Sequence, residues 1–266
     1  MPAPRFPSRG RSSLLPAWLR DLAGAWVFYS VLPGWPGLTP RFERIARFAP
    51  WIGLVLGLLQ ALLWVLLQGR VPLAAQVALV LALGITLSGG LHLDGAMDTA
   101  DGLAAGDRCL EAMEDSRVGA SGVQALVLLL LLRGAALICL SRDAPLALIW
   151  SGFWSRTSPL LAMAWFPYLR PGSGTAAFHR AHWRGLAREA RPTLLALVAL
   201  VPLLASSPAS SAWWPALLVA VVPVPLVPLG LGRRLGGHSG DSYGACVEWS
   251  EALVLLVIGL VRALGR

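Results

Sequence analysis

Long apolar stretches, separated by short polar or proline-containing segments, dominate this sequence. A helix needs about 20 consecutive apolar residues to cross a bilayer. Reading for such runs predicts seven spans, at residues 48–68, 71–91, 118–140, 144–168, 193–213, 214–231 and 245–264. The fifth and sixth meet at a Pro/Ser turn over residues 206–211, so totals of six to eight spans stay open. A shorter apolar stretch, residues 22–32, predicts an interfacial or re-entrant helix before the first span.

The composition agrees with this pattern. Hydrophobic residues make up 56% of the 266 residues and charged residues only 14%, whereas about a quarter of a soluble domain is charged. Because only lipid can cover so much apolar surface, we predict an all-α, polytopic integral membrane protein. Residues 1–266 would form a single membrane domain. This composition excludes a disordered chain, a nucleic-acid module and an ordinary soluble enzyme, and it makes the lipid bilayer a partner.

The net charge of +8 is explained by topology. With a cytoplasmic N-terminus, segments 1–47, 92–117, 169–192 and 232–244 are cytoplasmic and carry 16 of the 22 arginines, against 4 on the opposite side. This split satisfies the positive-inside rule. We therefore expect no nucleic-acid partner, and we expect the polar loops to lie on the cytoplasmic face. The sequence leaves a homo-oligomer open.

Half of the acidic residues lie in one short segment. Seven of the 14 fall between residues 94 and 115, beside the cytoplasmic end of the second predicted span. Asp94, Asp98 and Asp101 follow i, i+4, i+7 spacing, so a helix over residues 91–101 presents them on one face. Glu111 and Asp115 form a second i, i+4 pair. Segment 88–122 is thus predicted to be the active-site segment.

Carboxylates this close repel one another, and a divalent cation removes the repulsion. Mg²⁺ binds through a few carboxylates plus substrate phosphates, so we predict Mg²⁺ as the cofactor of a phosphoryl-transfer site. The predicted catalytic residues and metal ligands are Asp94, Asp98, Asp101 and Asp115, with Glu111 a further ligand. A solvated acidic helix is the alternative. Gly95 and Gly102 speak against it, because glycine weakens a helix that has no close neighbour to accommodate.

Five further residues are candidates for binding substrate. Arg117 can hold a phosphate or simply set topology. Arg156 lies inside a predicted span, so it is expected to face a cleft and pair with an acid. His92 is either a ligand or a hydrogen-bonding histidine. His238 and Asp241 lie in the glycine-rich loop 235–245, which suits phosphate binding or a plain flexible turn.

Four segments resemble those of the cobalamin synthase family, the adenosylcobinamide-GDP ribazoletransferases. The specific one covers residues 88–102 (SGGLHLDGAMDTADG), followed by 114–119 (EDSRVG). Residues 166–172 (FPYLRPG) resemble the family's FPYxRP element. Residues 235–245 (LGGHSGDSYGA), with Glu248 and Glu251 after them, resemble its C-terminal GGxxGDxxGAxxExxE element. The likeness covers most of the chain, in order.

The resemblance implies a reaction in the last steps of cobalamin (vitamin B12) biosynthesis. The family joins adenosylcobinamide-GDP to α-ribazole or its 5′-phosphate and releases GMP. The product is adenosylcobalamin or its 5′-phosphate. The resemblance further implies Mg²⁺ dependence and a location in the cell inner membrane. Together with the arginine distribution, this predicts a multi-pass protein whose active site faces the cytoplasm.

Other activities stay open at this point. Residues 98–105 (DTADGLAA) also fit the opening of the CDP-alcohol phosphotransferase signature, although its next arginine is Gly106 here. A Mg²⁺-dependent enzyme of that type, acting on a lipid alcohol, is therefore the main alternative. Intramembrane prenyl transfer normally uses two separate Asp motifs, and the C-terminal loop has only Asp241. A cation transporter would place its acids near the bilayer midplane, not at the cytoplasmic edge.

Overall fold

A computed structural model describes residues 15–170, 176–205 and 213–265. Within these ranges the chain is all helical, with no β-strand, and only an isolated bridge pairs Tyr168 with His238. The α-helices are α1 Ala17–Tyr29, α2 Ala49–Leu67, α3 Leu73–Ser88, α4 Leu91–Ala104, α5 Cys109–Ala112, α6 Ala120–Leu140, α7 Ala144–Ser155, α8 Ser158–Trp165, α9 Ala177–Ala181, α10 Leu186–Glu189, α11 Arg191–Ala205, α12 Trp214–Val219, α13 Pro223–Leu235 and α14 Gly240–Leu264. The all-α prediction is confirmed.

Membrane spans are fewer than predicted in the part of the chain that the structure describes. Four helical segments are long and apolar enough to cross a bilayer: Ile45–Leu67, Ala120–Trp165, Trp214–Leu235 and Gly240–Leu264. A fifth is added if α3 and α4, which meet at 92°, count as one broken span. Several spans are thus confirmed, but the count of seven is not.

The differences have local causes. The predicted spans 118–140 and 144–168 fall within the single apolar stretch Ala120–Trp165. The predicted span 193–213 corresponds to α11, which is too short to qualify. The Pro/Ser turn predicted at 206–211 lies outside the described residues. The N-terminal apolar stretch forms α1, which begins five residues earlier than 22–32 indicated.

Helix α14 is the central element of the fold. Fourteen of its 25 residues are buried, and it packs against α4, α6, α7 and α8 as well as α12 and α13. Helices α2 and α7 form another close pair, in which Gly53 and Gly152 meet through their backbones. Small residues at such crossings let two helix backbones approach closely. Close packing of this kind stabilises helix association in lipid, where the hydrophobic effect does not drive it.

The bend between α3 and α4 depends on two glycines. Gly89 and Gly90 both have positive φ, +64° and +71°, a backbone conformation that residues with a Cβ rarely adopt. The Gly89 N–H donates to Thr86 and the Gly90 N–H to Ile85, which ends α3. The chain therefore turns sharply, and the acidic helix α4 runs across α14 instead of extending α3.

Candidate active site

The acids of α4 lie at the crossing of α4 with α14. The predicted helix over 91–101 is present, and Asp98 interacts electrostatically with Asp94 and Asp101 on the same helix. It also interacts with Asp241, in the first turn of α14. The crossing therefore gathers carboxylates from two segments that are well over a hundred residues apart.

Two glycines allow this approach. A Cβ on Gly95 would lie 2.6 Å from the carbonyl oxygen of Asp241, and one on Gly244 would lie 3.0 Å from that of His92. The sequence predicts a close neighbour for Gly95, and the structure shows that this neighbour is the backbone of Asp241. The backbones of α4 and α14 touch at the position where their acids are presented.

The C-terminal glycine-rich segment is more helical than predicted. Helix α14 already begins at Gly240, and a capping box between Ser239 and Ser242 stabilises its start. Only residues 236–239 remain as a connection between helices, so the prediction of a loop over 235–245 is corrected. Helix geometry, not loop flexibility, positions Asp241.

His238 has the contacts of a structural residue. Its side chain is fully buried; Nδ1 shares a hydrogen bond of 3.0 Å with Ser242 Oγ, and Nε2 one of 3.1 Å with the Pro228 carbonyl. Both ring nitrogens are thus engaged within the protein. This arrangement holds α13 against the start of α14, and it does not match the substrate contact predicted for His238.

Asp101 turns away from the other acids towards α6. Its Oδ2 accepts a hydrogen bond from the Gly119 N–H and its Oδ1 one from the Gly122 N–H, both at 2.8 Å. These are among the first N–H groups of α6, which have no partner within the helix. Asp101 is therefore a helix-capping residue in this structure, and the absence of a Cβ at Gly119 and Gly122 makes room for its carboxylate.

The second acidic helix is a wrong prediction. Helix α5 is a single turn that ends at Ala112, so Glu111 and Asp115 do not share a helix face. The Arg117 backbone N–H and guanidinium both donate to Asp115, at distances down to 2.6 Å, and hold this residue in a turn. These hydrogen bonds lower the pKa of Asp115 to about 2. The Arg117 side chain is 88% exposed. Neither Glu111 nor Asp115 is among the charged groups that interact electrostatically with Asp98.

No group of three or more His, Cys, Asp or Glu side chains within the described ranges is close enough to form a closed metal cage. The donors at the crossing nevertheless suit Mg²⁺. Asp94, Asp98 and Asp241 supply hard carboxylate oxygens, and their mutual repulsion favours a cation. Mg²⁺ usually takes only one or two carboxylates and completes its shell with water and substrate phosphates.

Arg170 is a residue of this site that sequence reasoning missed. It follows α8 and lies 3.5 Å from Asp241 and 3.5 Å from Glu114, measured between side-chain nitrogen and oxygen. It also donates a 3.0 Å hydrogen bond to the Leu110 carbonyl. Arg170 therefore ties the segment around α5 to the start of α14. Its position in segment 166–172 could have indicated a role in the site. In the sequence, however, it is not distinguished from the other cytoplasmic arginines that set topology.

A cavity of about 330 Å³ opens beside the α4–α14 crossing. Asp94 and Asp241 line it on one side, together with His92. Tyr29 of α1 and His179 of α9, neither of them predicted, line it as well. The carboxylates thus border a space that can hold part of a substrate.

Arg156 lies where α7 breaks into α8, and it also lines this cavity. It pairs with an acid as predicted, but the partner is Glu251 of α14, at 3.0 Å, and not an acid of α4. Arg133 of α6 lies 2.7 Å from Glu248 and 3.9 Å from Glu251. The buried ion pairs therefore connect α6 and the α7–α8 break to α14, about two to three turns after Asp241 along that helix.

A comparison with known protein families identifies the family of this chain. The family model described as cobalamin-5-phosphate synthase matches residues 21–259. The chain belongs to the cobalamin-5-phosphate synthase family. The resemblance of the four sequence segments is thereby confirmed.

Curated relatives agree along nearly their whole length. A Prochlorococcus marinus (strain MIT 9303) protein named adenosylcobinamide-GDP ribazoletransferase is 58% identical over 94% of this chain and 99% of its own length. Proteins with the same name from a further strain of Prochlorococcus marinus and from Thermosynechococcus vestitus are 44% and 42% identical, each over 92% of this chain and at least 96% of their own. No solved structure matches the chain.

The segments that resembled this cobalamin-5-phosphate synthase family meet in space. Residues 88–102 supply the acids of α4, residues 166–170 supply Arg170, and residues 235–245 supply Asp241. Three stretches that are distant in sequence thus build one site. Residues 171–175 lie outside the described ranges.

Proposed function

We propose that this protein is an adenosylcobinamide-GDP ribazoletransferase. It joins adenosylcobinamide-GDP to α-ribazole or its 5′-phosphate and releases GMP, and the product is adenosylcobalamin or its 5′-phosphate. Relatives that carry this name cover nearly the whole chain. The observation that carries the proposal is structural: carboxylates of α4 and α14 meet at the mouth of a cavity.

The reaction exchanges one phosphorus–oxygen bond for another. A ribose hydroxyl of the ribazole attacks the phosphorus that bears the cobinamide aminopropanol oxygen. The bond from that phosphorus to the bridging pyrophosphate oxygen breaks, and GMP leaves with the electron pair. The hydroxyl proton passes to Asp94, which lines the cavity, because a general base must lie within hydrogen-bond reach of the proton it takes.

Asp98 and Asp241 would hold Mg²⁺, with Asp94 close by. When bound there, Mg²⁺ would neutralise charge on the pyrophosphate and on the leaving GMP, which is the main requirement of phosphoryl transfer. Arg170 holds Asp241 in place and keeps the α5 segment near the site. Arg117 remains a proposed phosphate ligand, because its exposed guanidinium can leave Asp115 for a diphosphate.

The membrane setting is part of the proposal. The apolar helices and the 16-to-4 distribution of arginines support a multi-pass protein of the inner membrane. The same distribution supports a cytoplasmic active site. Water-soluble substrates would then reach the α4–α14 crossing directly from the cytoplasm.

The test is product formation by purified, detergent-solubilised protein. Adenosylcobinamide-GDP, α-ribazole 5′-phosphate and Mg²⁺ are supplied, and both GMP and the corrinoid product are measured. We expect the two products in equal amounts, and none in the presence of EDTA. A CDP-activated lipid donor with a lipid alcohol serves as the second substrate pair. CMP release from that pair, with no GMP from the first, would overturn the proposal in favour of a CDP-alcohol phosphotransferase.

A further inference from the structure

Five of the 18 residues that line the cavity beside the acids carry flat rings. Tyr29 stacks against His92 with ring centroids 5.8 Å apart, and its ring is nearly parallel to that of His179, at 4° and 6.5 Å. Phe28 and Tyr243 add two further rings. Most of the remaining lining is small or apolar and includes Leu91, Pro159, Met163 and Val247. Such walls suit an aromatic ligand.

His92 and His179 line the cavity with their rings, and the two residues are only 6% and 7% exposed. Their Nδ1 atoms make no hydrogen bond within the described residues and have almost no accessible surface, so these nitrogens do not open into the cavity. The two histidines therefore meet a ligand through the surface of their rings and not through Nδ1.

We infer that this cavity binds the aromatic base of the ribazole substrate, a substituted benzimidazole. The inference rests on the proposed function. A benzimidazole is a flat ring system with an apolar edge. That matches a cavity lined by rings and apolar side chains beside two carboxylates.

The other parts of the two substrates match less well. A corrin ring is too large, since about 330 Å³ is near the lower limit of small-molecule pockets, roughly 300 Å³. A guanine base presents several donors and acceptors along its edges. Of the charged side chains in the lining, Arg156 is paired with Glu251 and Asp241 with Arg170, which leaves Asp94 alone to meet them.

The base site also explains the placement of the reaction. Asp94 and Asp241 line the cavity that would contain the base. A benzimidazole held between the rings therefore leaves its ribose beside these carboxylates. Positioning of this kind contributes much of the rate enhancement in transfers between two bound substrates.

Binding of α-ribazole to the purified protein tests the inference without turnover. Equilibrium dialysis is carried out in EDTA and without adenosylcobinamide-GDP, so that neither metal nor catalysis contributes. Val247→Trp fills the cavity, and His179→Leu removes one of the flat rings of its wall. We expect α-ribazole to bind the parent and to bind each variant at least about tenfold more weakly.

Matched controls separate the cavity from general damage. Leu260→Trp places the same ring on the 47%-exposed face of α14. His182→Leu changes a histidine three residues beyond His179 that does not line the cavity. Both should bind α-ribazole as the parent does, and all variants should elute as a single species in size-exclusion chromatography. His179→Phe, which keeps a flat ring at this position, should regain part of the affinity.

Each outcome decides between occupants. If the KM for adenosylcobinamide-GDP rises in Val247→Trp and His179→Leu while α-ribazole binding is unchanged, the cavity belongs to the nucleotide and the inference is wrong. If neither substrate is affected, the cavity serves no substrate and the inference is also wrong. A parent that binds no α-ribazole and releases no GMP refutes the proposed function itself. A parent that releases GMP from both substrates, with unchanged ribazole binding in the variants, refutes only the base site.

Discussion

Gly95 of α4 lies directly against the backbone of Asp241 at the start of α14. No side chain fits between them, because a Cβ on Gly95 would be 2.6 Å from the Asp241 carbonyl oxygen. The contact sets how closely the acids of the two helices approach one another. We therefore expect the proposed activity to depend on this glycine as well as on the carboxylates around it.

Gly95→Ala should separate the two helices. Overpacking at a tight contact costs about 1–3 kcal/mol, and we expect a lower unfolding midpoint in detergent together with reduced GMP release. Gly230→Ala in α13 is the matched control, since a Cβ there meets nothing within 4 Å. It should unfold at or above the parent temperature. Equal midpoints for both variants would show that the α4–α14 contact is not tight.

Asp101→Asn should affect stability more than the charge change alone suggests. An amide has one acceptor oxygen, whereas the Asp101 carboxylate accepts from both Gly119 and Gly122. Loss of a helix cap costs about 1 kcal/mol, which thermal unfolding of the purified variant measures. Asp94→Asn removes an acid that caps no helix, and it should unfold at the parent midpoint. The reverse order of the two midpoints would contradict the capping role.

Arg156→Met should strongly destabilise the protein. It leaves Glu251 buried with only the more distant Arg133, 3.9 Å away, and breaking a buried pair costs about 3 kcal/mol or more. The double variant Arg156→Met/Glu251→Met should recover part of the loss. Arg262→Met serves as the comparison, because its pair with Asp143 is partly exposed and its loss should cost about 1 kcal/mol or less. Equal losses in chemical denaturation would refute the difference.

Arg170→Ala should lower kcat/KM by about tenfold or more, since Asp241 and Glu114 lose their shared cation. Arg170→Lys should restore part of the activity, because it keeps the charge without the forked geometry. Arg188→Ala removes an exposed arginine of α10 and should leave the kinetics unchanged. Parent-like kinetics in Arg170→Ala would remove this residue from the site.

Helix α4 could be predicted because its information is local. The i, i+4, i+7 spacing of Asp94, Asp98 and Asp101 and the adjacent Gly95 are visible within a dozen residues. The role of Asp101 could not be predicted in this way, since it depends on where α6 begins. The prediction that Glu111 and Asp115 share a helix face was wrong for a similar reason. Arg117 holds Asp115 in a turn, so no second helix extends through both acids.

The other site residues could not be predicted because their partners are distant in the sequence. The Arg170 partner in α14 is 71 residues away, and no spacing rule connects them. Tyr29 and His179 line one cavity although they are 150 residues apart. The span count differed because the predicted spans 118–140 and 144–168 fall within one apolar helical stretch, and because α11 is too short to qualify within the described residues. Where one helix continues into the next is set by backbone conformation and packing, which hydropathy does not measure.

The central claim is that the acids at the α4–α14 crossing carry the transfer. GMP release by Asp98→Asn, measured beside Asp107→Asn, tests it most directly. Asp107 is an exposed acid of the same segment, in the turn after α4. We expect Asp98→Asn to lose about a hundredfold or more in GMP release while unfolding no earlier than the parent, because one repulsive charge is removed. Asp107→Asn should match the parent. Parent-level GMP release by a folded Asp98→Asn would contradict the account.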